Sequence, residues 1–152
     1  MQVSIVIPVH NEEGNIVPLL QEIRQALTGR HQYEVICVDD HSSDRTPARL
    51  GRHGAEYSEL RIVRLHRQCG QSAALRVGVR EARFPLVVTM DGDGQNDPAD
   101  IDRFLQLFSG QDICLARQLV IGHRQKRQDT GWRRFSSRLA NAVRRLLLRD
   151  GA

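Results

Sequence analysis

The stretch Val3-Ser4-Ile5-Val6-Ile7-Pro8-Val9-His10-Asn11-Glu12-Glu13 decides the fold. Residues 3–8 are mostly apolar and β-branched, the composition of a buried strand, and the chain then breaks into histidine, asparagine and two carboxylates. The same pattern recurs downstream. Further strand candidates occupy 33–38, 61–65, 86–90 and 112–115, and segments of helical period near 13–28, 45–55, 71–83 and 98–109 lie between them. Strands alternating with helices of this length make βαβ units and a largely parallel sheet, so the expected class is α/β with helices flanking the sheet. Asp44 before Arg45-Thr46-Pro47 and Asp97 before Pro98 read as helix N-caps with proline in the first turn.

In open parallel sheets ligands collect at the carboxyl ends of the strands. Four of these ends are polar: Pro8-Val9-His10-Asn11-Glu12-Glu13, Asp39-Asp40-His41-Ser42-Ser43-Asp44, His66-Arg67-Gln68-Cys69-Gly70-Gln71 and Asp91-Gly92-Asp93-Gly94-Gln95. One such end is ordinary loop chemistry; four mark a site. Alternating carboxylates beside a glycine, as in Asp91-Gly92-Asp93, converge on a hard divalent cation that bridges to a diphosphate. No GxGxxG follows the first strand and no GxxxxGK[ST] occurs, which disfavours dinucleotide and P-loop sites. What remains is a nucleotide whose diphosphate is held through metal. Asp40 and Glu12, at the ends of strands one and two, suit its ribose or base because carboxylates accept hydrogen bonds from hydroxyl and N–H groups.

Composition sets the frame. The 152 residues are 40% hydrophobic and 26% charged, enough for one α/β core. No apolar run approaches the roughly 18 residues of a membrane helix. The N-terminus opens directly into a strand without a basic leader, so a non-secreted, non-spanning chain is expected. Cys37, Cys69 and Cys114 have neither a disulfide framework nor zinc spacing and read as small strand or loop residues. Residues 1–116 carry 12 Lys/Arg against 16 Asp/Glu, whereas 117–150 carry 10 against 2. That basic end includes an amphipathic helical pattern in Trp132, Phe135, Leu139, Val143, Leu146 and Leu147. A basic patch meets nucleic acid, anionic lipid or phosphate ligands, and an aromatic content of 5% leaves few platforms for nucleic-acid bases. Stopping at Asp150-Gly151-Ala152 without another strand, the sequence reads as truncated C-terminally.

Taken in order, these motifs resemble the GT-A-fold, family-two inverting glycosyltransferases. The resemblance rests on Ile7-Pro8-Val9-His10-Asn11-Glu12-Glu13-Gly14-Asn15, Val38-Asp39-Asp40-His41-Ser42-Ser43-Asp44-Arg45-Thr46, and Gly70-Gln71-Ser72-Ala73-Ala74-Leu75 with Gly78. Met90-Asp91-Gly92-Asp93-Gly94-Gln95-Asn96-Asp97-Pro98 is similar to the metal motif of the polyprenyl-phosphate branch, which includes dolichyl-phosphate mannose synthases and bacterial undecaprenyl-phosphate sugar transferases.

The resemblance implies a GT-A core over residues 1–117, with 118–152 as a basic acceptor-side segment of the same domain. Pro8, His10, Glu12, Val38 and Asp40 would surround the nucleoside of a nucleotide-sugar donor. Asp91, Asp93 and Gln95 would ligate Mg²⁺ or Mn²⁺, and Gly92 would lie against the donor. Asp93 and Arg117 are the implied catalytic residues, Arg117 facing the donor diphosphate. Arg133 and Ser137 would meet a polyprenyl-phosphate acceptor. The family commonly has an aromatic residue where His10 stands.

The implied place of action is the cytoplasmic face of a membrane, with the protein held peripherally at its surface. A phosphate acceptor is already anionic near neutral pH and needs no general base, which agrees with the lack of an evident base after Asp93. Two rivals remain open at this level: transfer to a polysaccharide or other glycan, and a non-catalytic nucleotide-binding fragment.

Overall fold

The computed structural model describes residues 1–106. Strands β1 (Gln2–Val9), β2 (Gln32–Asp39), β3 (Leu60–Arg64) and β4 (Leu86–Thr89) alternate with helices α1 (Ile16–Leu27), α2 (Thr46–Glu56), α3 (Gln71–Glu81) and α4 (Ala99–Gln106). The strands form one sheet of order β3-β2-β1-β4, parallel throughout. Val3 of β1 faces Tyr33 of β2 on one side and Leu86 of β4 on the other. The chain therefore reverses its direction of growth across the sheet at β1, and a crevice opens at the carboxyl ends beside it.

Side-chain alternation divides the core in two. Val3, Ile5 and Ile7 of β1 and Tyr33, Val35 and Cys37 of β2 point to one face, where they pack with apolar residues of α1, α2 and α4. Val6, Ile36 and Val38 point to the other, under Ala74 of α3. Helix α1 forms because Ile16, Leu19, Leu20, Ile23 and Leu27 fall on one stripe, all at most 1% exposed. Burying each contributes about 1.5–3 kcal/mol, so truncating Ile23 to alanine costs roughly 2–5 kcal/mol. Helix α3 reaches the sheet through Gly78, where a Cβ would stand 2.3 Å from Val6 Cγ1.

Helix α3 starts at Gln71 as expected, whereas the other three start a residue or more later than expected, and the hydrogen bonds show why. Helix α1 begins at Ile16 rather than 13 because the Glu12 carbonyl first accepts from Asn15 and Ile16 N–H in a turn. Asp44 lies one residue ahead of the N-cap, Arg45, yet its Oδ1 accepts the Thr46 N–H at 2.8 Å; Asp97 does the same for Ala99 N–H at 2.9 Å. The strand expected at 112–115, the basic helix beyond it, Arg117, Arg133 and Ser137 lie outside the described residues. No helix among the described residues is long and apolar enough to cross a membrane.

Candidate functional site

Two loops at the carboxyl end of the sheet are laced to each other. Asn11 N–H donates to Ser42 Oγ (3.0 Å), Glu12 N–H to Thr46 Oγ1 (2.9 Å) and Glu13 N–H to Asp44 Oδ2 (3.2 Å). In return Ser43 N–H donates to Asn11 Oδ1 (2.9 Å) and Arg45 N–H to Glu13 Oε2 (3.0 Å). The lacing requires left-handed backbone at Asn11 (φ 56°) and His41 (φ 60°), and Asn and His are among the non-glycine residues that enter this region most readily. Asp44 is held below the usual carboxylate range: its partial burial pushes upward, but the hydroxyl and N–H of Thr46 and the N–H of Glu13 outweigh it.

Beneath these loops, Asp39 is 1% exposed. Its Oδ1 accepts the Ser42 N–H at 2.9 Å, and its Oδ2 lies 3.2 Å from Arg64 Nε without an aligned hydrogen bond. Asp40 is 4% exposed and accepts two backbone N–H groups, Cys69 on Oδ1 (2.6 Å) and Gly70 on Oδ2 (2.8 Å). His10 Nδ1 lies 2.9 Å from the Asp40 carbonyl oxygen. A carbonyl only accepts, so Nδ1 carries the hydrogen, leaving Nε2 to accept from the amides of Asn11 and Gln68, both at 3.3 Å.

On the other side of β1, Gly92 brings the Asp91-Gly92-Asp93 turn against the strand end. A Cβ on Gly92 would meet Val9 Cγ1 at 2.9 Å and the Pro8 carbonyl oxygen at 3.2 Å. Asp91 Oδ1 accepts from Gln71 Nε2 at 2.7 Å, and Asp93 Oδ1 accepts the Gln95 N–H at 3.0 Å.

Between these arms lies a cavity of about 300 Å³ lined by Pro8, Val9, His10, Glu12, Asp40, Gln71, Asp91, Gly92 and Asp93. Seven of the expected residues thus line one cavity: Pro8, His10, Glu12, Asp40, Asp91, Gly92 and Asp93. Val38 does not line it. It is fully buried under α3 because it shares the strand face of Ile36. Gln95 lies outside the lining as well, its backbone N–H serving Asp93. Gln71, part of the Gly70-Gln71-Ser72 motif, lines the cavity without having been expected there; its reach to Asp91 depends on how α3 docks.

Among the described residues four carboxylates and no Lys or Arg line the cavity, a wall that favours a bound cation beside any anionic ligand. Among the described residues no group of three or more His, Cys, Asp or Glu side chains converges as a complete metal cage. Mg²⁺ needs no such cage, since it takes one or two carboxylates and fills its remaining positions with phosphate oxygens and water. Asp91 and Asp93 fit that pattern.

The profile of "Glycosyl transferase family 2" matches residues 4–150. The chain belongs to this family. Among family 2 relatives, the chain is 38% identical over 131 residues to a dodecaprenyl-phosphate galacturonate synthase of Rhizobium johnstonii, covering 85% of this chain and 38% of that protein. It is 40% identical over 148 residues to an undecaprenyl-phosphate 4-deoxy-4-formamido-L-arabinose transferase of Pseudomonas aeruginosa, covering 94% and 42%. The chain thus spans about two fifths of the length of these relatives.

Two solved structures share the fold. S. aureus TarS in complex with UDP-GlcNAc matches at a TM-score of 0.60 and 24% identity, over 71% of this chain and 31% of TarS. The mannosyltransferase PcManGT of Pyrobaculum calidifontis, in complex with GDP-Man and Mn²⁺, matches at 0.56 and 30% identity, over 60% and 27%. The sheet and helices of residues 1–106 are the family 2 GT-A arrangement expected from the motifs.

Proposed function

We propose that this chain is the donor-binding part of an inverting glycosyltransferase that moves a sugar from a nucleotide-sugar to a polyprenyl phosphate at the cytoplasmic face of a membrane. The observation that carries the reading is the cavity beside β1, which gathers four carboxylates, Glu12 and Asp40 from the ends of the first two strands and Asp91 and Asp93 from the turn after β4. The names of relatives at 38–40% identity, all polyprenyl-phosphate enzymes, support the acceptor.

In this reading Pro8, His10, Glu12 and Asp40 receive the nucleoside, and Val38 supports that wall from within the core. Asp91 and Asp93 hold Mg²⁺ or Mn²⁺, which when bound neutralises charge on the departing nucleoside diphosphate. Asp93 and Arg117 are the catalytic pair on the diphosphate side, with Gln95 keeping Asp93 oriented through its N–H. Arg133 and Ser137 take the acceptor phosphate. The acceptor attacks the anomeric carbon from the face opposite the leaving group and brings its own negative charge, so these residues orient it and need not deprotonate it.

The test has two stages. Thermal shift of the purified chain with UDP and GDP, with and without Mg²⁺ or Mn²⁺, should show metal-dependent stabilisation, since a ligand of the native state raises its apparent stability. The longer protein should then transfer labelled sugar from a UDP- or GDP-sugar to undecaprenyl phosphate. Stabilisation by nucleotide with transfer only to a glycan acceptor would overturn the polyprenyl assignment. No nucleotide effect with any metal would overturn the donor site.

A further inference from the structure

Three consecutive residues bind carboxylates that stand on opposite sides of β1. Cys69 and Gly70 give their backbone N–H groups to the two oxygens of Asp40, beyond β2, while the Gln71 side chain donates to Asp91, beyond β4. Asp40 is almost fully buried, and both its oxygens are engaged by the chain's own backbone. A buried carboxylate stripped of such charge-assisted bonds is costly, so Asp40 holds this segment firmly. Gly70 is where the segment turns into α3, at φ +89°, in a space where a Cβ would touch nothing within 4 Å.

We infer that Asp40, besides facing the nucleoside, is a positioning residue. It fastens residues 69–71 as a strap, and the strap sets Gln71 against Asp91, so that the two arms of the cavity move as one. The inference refines the part of Asp40 in the donor site proposed above and rests on that reading of the cavity. Gln71 restricts the rotamers open to Asp91 before any cation arrives. Loosening the strap at Asp40 therefore disorders a carboxylate on the far side of β1 that Asp40 does not touch.

Asp40→Asn tests this in the full chain, because an amide offers one acceptor oxygen to two N–H groups and turns its own NH₂ toward the other. Three readouts apply, two of them needing no nucleotide. Amide exchange at 69–70, read by peptide mass spectrometry, should accelerate about tenfold. The side-chain amide resonances of Gln71 should move toward their positions in Asp91→Ala. In calorimetry with UDP and Mn²⁺, the affinity losses of Asp40→Asn and Gln71→Leu should overlap rather than add in the double variant.

Unchanged Gln71 resonances or unchanged amide exchange at 69–70 in Asp40→Asn would overturn the strap, as would full additivity. Should Asp40→Asn not fold, Gly70→Ala, strained by its positive φ alone, must produce the same Gln71 shift or the inference falls. Lack of UDP and GDP binding by the unmutated chain would overturn the donor reading instead, leaving the nucleotide-free readouts to decide the strap.

Discussion

Gly92 packs against Val9 with no room for a side chain between them, since a Cβ would stand 2.9 Å from Val9 Cγ1. The adjacent Pro8 carbonyl, 3.2 Å away, is backbone of β1 and cannot yield. We predict that Gly92→Ala pushes Asp91 and Asp93 out of the cavity at a cost of about 1–3 kcal/mol, or roughly ten- to hundredfold in metal-dependent UDP or GDP affinity by calorimetry. Val9→Ala in the same chain should restore part of the loss. Undiminished affinity in Gly92→Ala would show that the turn does not need this approach.

Asp93→Asn removes charge while keeping an Oδ1 able to accept the Gln95 N–H. The turn should persist, with melting temperature in the metal-free buffer unchanged, while the extra stabilisation by nucleotide plus Mn²⁺ disappears. A variant that still gains full stabilisation from Mn²⁺ would remove Asp93 from the cation site.

Gly78→Ala probes the fold rather than the chemistry. The new methyl would lie 2.3 Å from Val6 Cγ1 and 3.1 Å from Val38 Cγ2, both fully buried, so α3 must back away from the sheet. Urea denaturation should show a loss of about 1–3 kcal/mol, partly recovered by Val6→Ala. Gly78 belongs to the same motif as Gly70 and Gln71, and its work is to let α3 sit close.

Glu34 gives a pH signature. It is 5% exposed, and that burial pushes its pKa upward, but the Arg83 N–H, the Ser4 hydroxyl and Arg61 together hold it below the ordinary value. A depressed folded-state pKa means that the unfolded chain binds more protons in acid. The contribution is complete above the ordinary glutamate value of about 4.3 and is lost as pH falls through the folded-state value. Glu34→Gln should lower stability at pH 7 and flatten the acid limb of a denaturation series. Among the described residues, Asp44 and Asp102, which His31 holds low, add to the same slope.

On the acceptor side, Arg133→Ala should reduce transfer to polyprenyl phosphate at least tenfold while leaving thermal stabilisation by nucleotide and metal intact, as loss of a charge-assisted phosphate contact requires. Charge reversal at Arg144 and Arg145 should instead weaken salt-sensitive binding to anionic vesicles. Full transfer by Arg133→Ala would take it out of the acceptor site.

The strand ends were legible because each is a local event, an apolar run breaking into carboxylates, and a parallel sheet gathers all such ends on one edge. Seven residues of the cavity wall could be named from that rule and the motifs. What stayed hidden depends on contacts across the sheet. Val38 follows the alternation of Val6 and Ile36, but only the docking of α3 makes that face a core. Gln71 and the two amides on Asp40 meet their partners through the third dimension, and no spacing along the chain announces them. The starts of α1 and α2 lie later than the periodicity suggests because the Glu12 carbonyl and the Asp44 side chain act outside the helices they serve, whereas α3 starts at Gln71 as expected.

The strand order also dictates when the site comes into being. Pairing of β1 with β2 and of β2 with β3 joins neighbours in the chain, whereas β1 must wait for residues 86–89 before its other edge is covered. Residues 86–89 are synthesised after the other three strands, so the nucleoside side forms around a bare edge of β1, and Asp91 and Asp93, in the turn after β4, arrive later. A bare strand edge invites pairing with other chains, which makes the interval before β4 docks the moment of greatest aggregation risk. Mutations that weaken β4 should therefore register first as poor yield in expression, before any purified protein exists to be assayed.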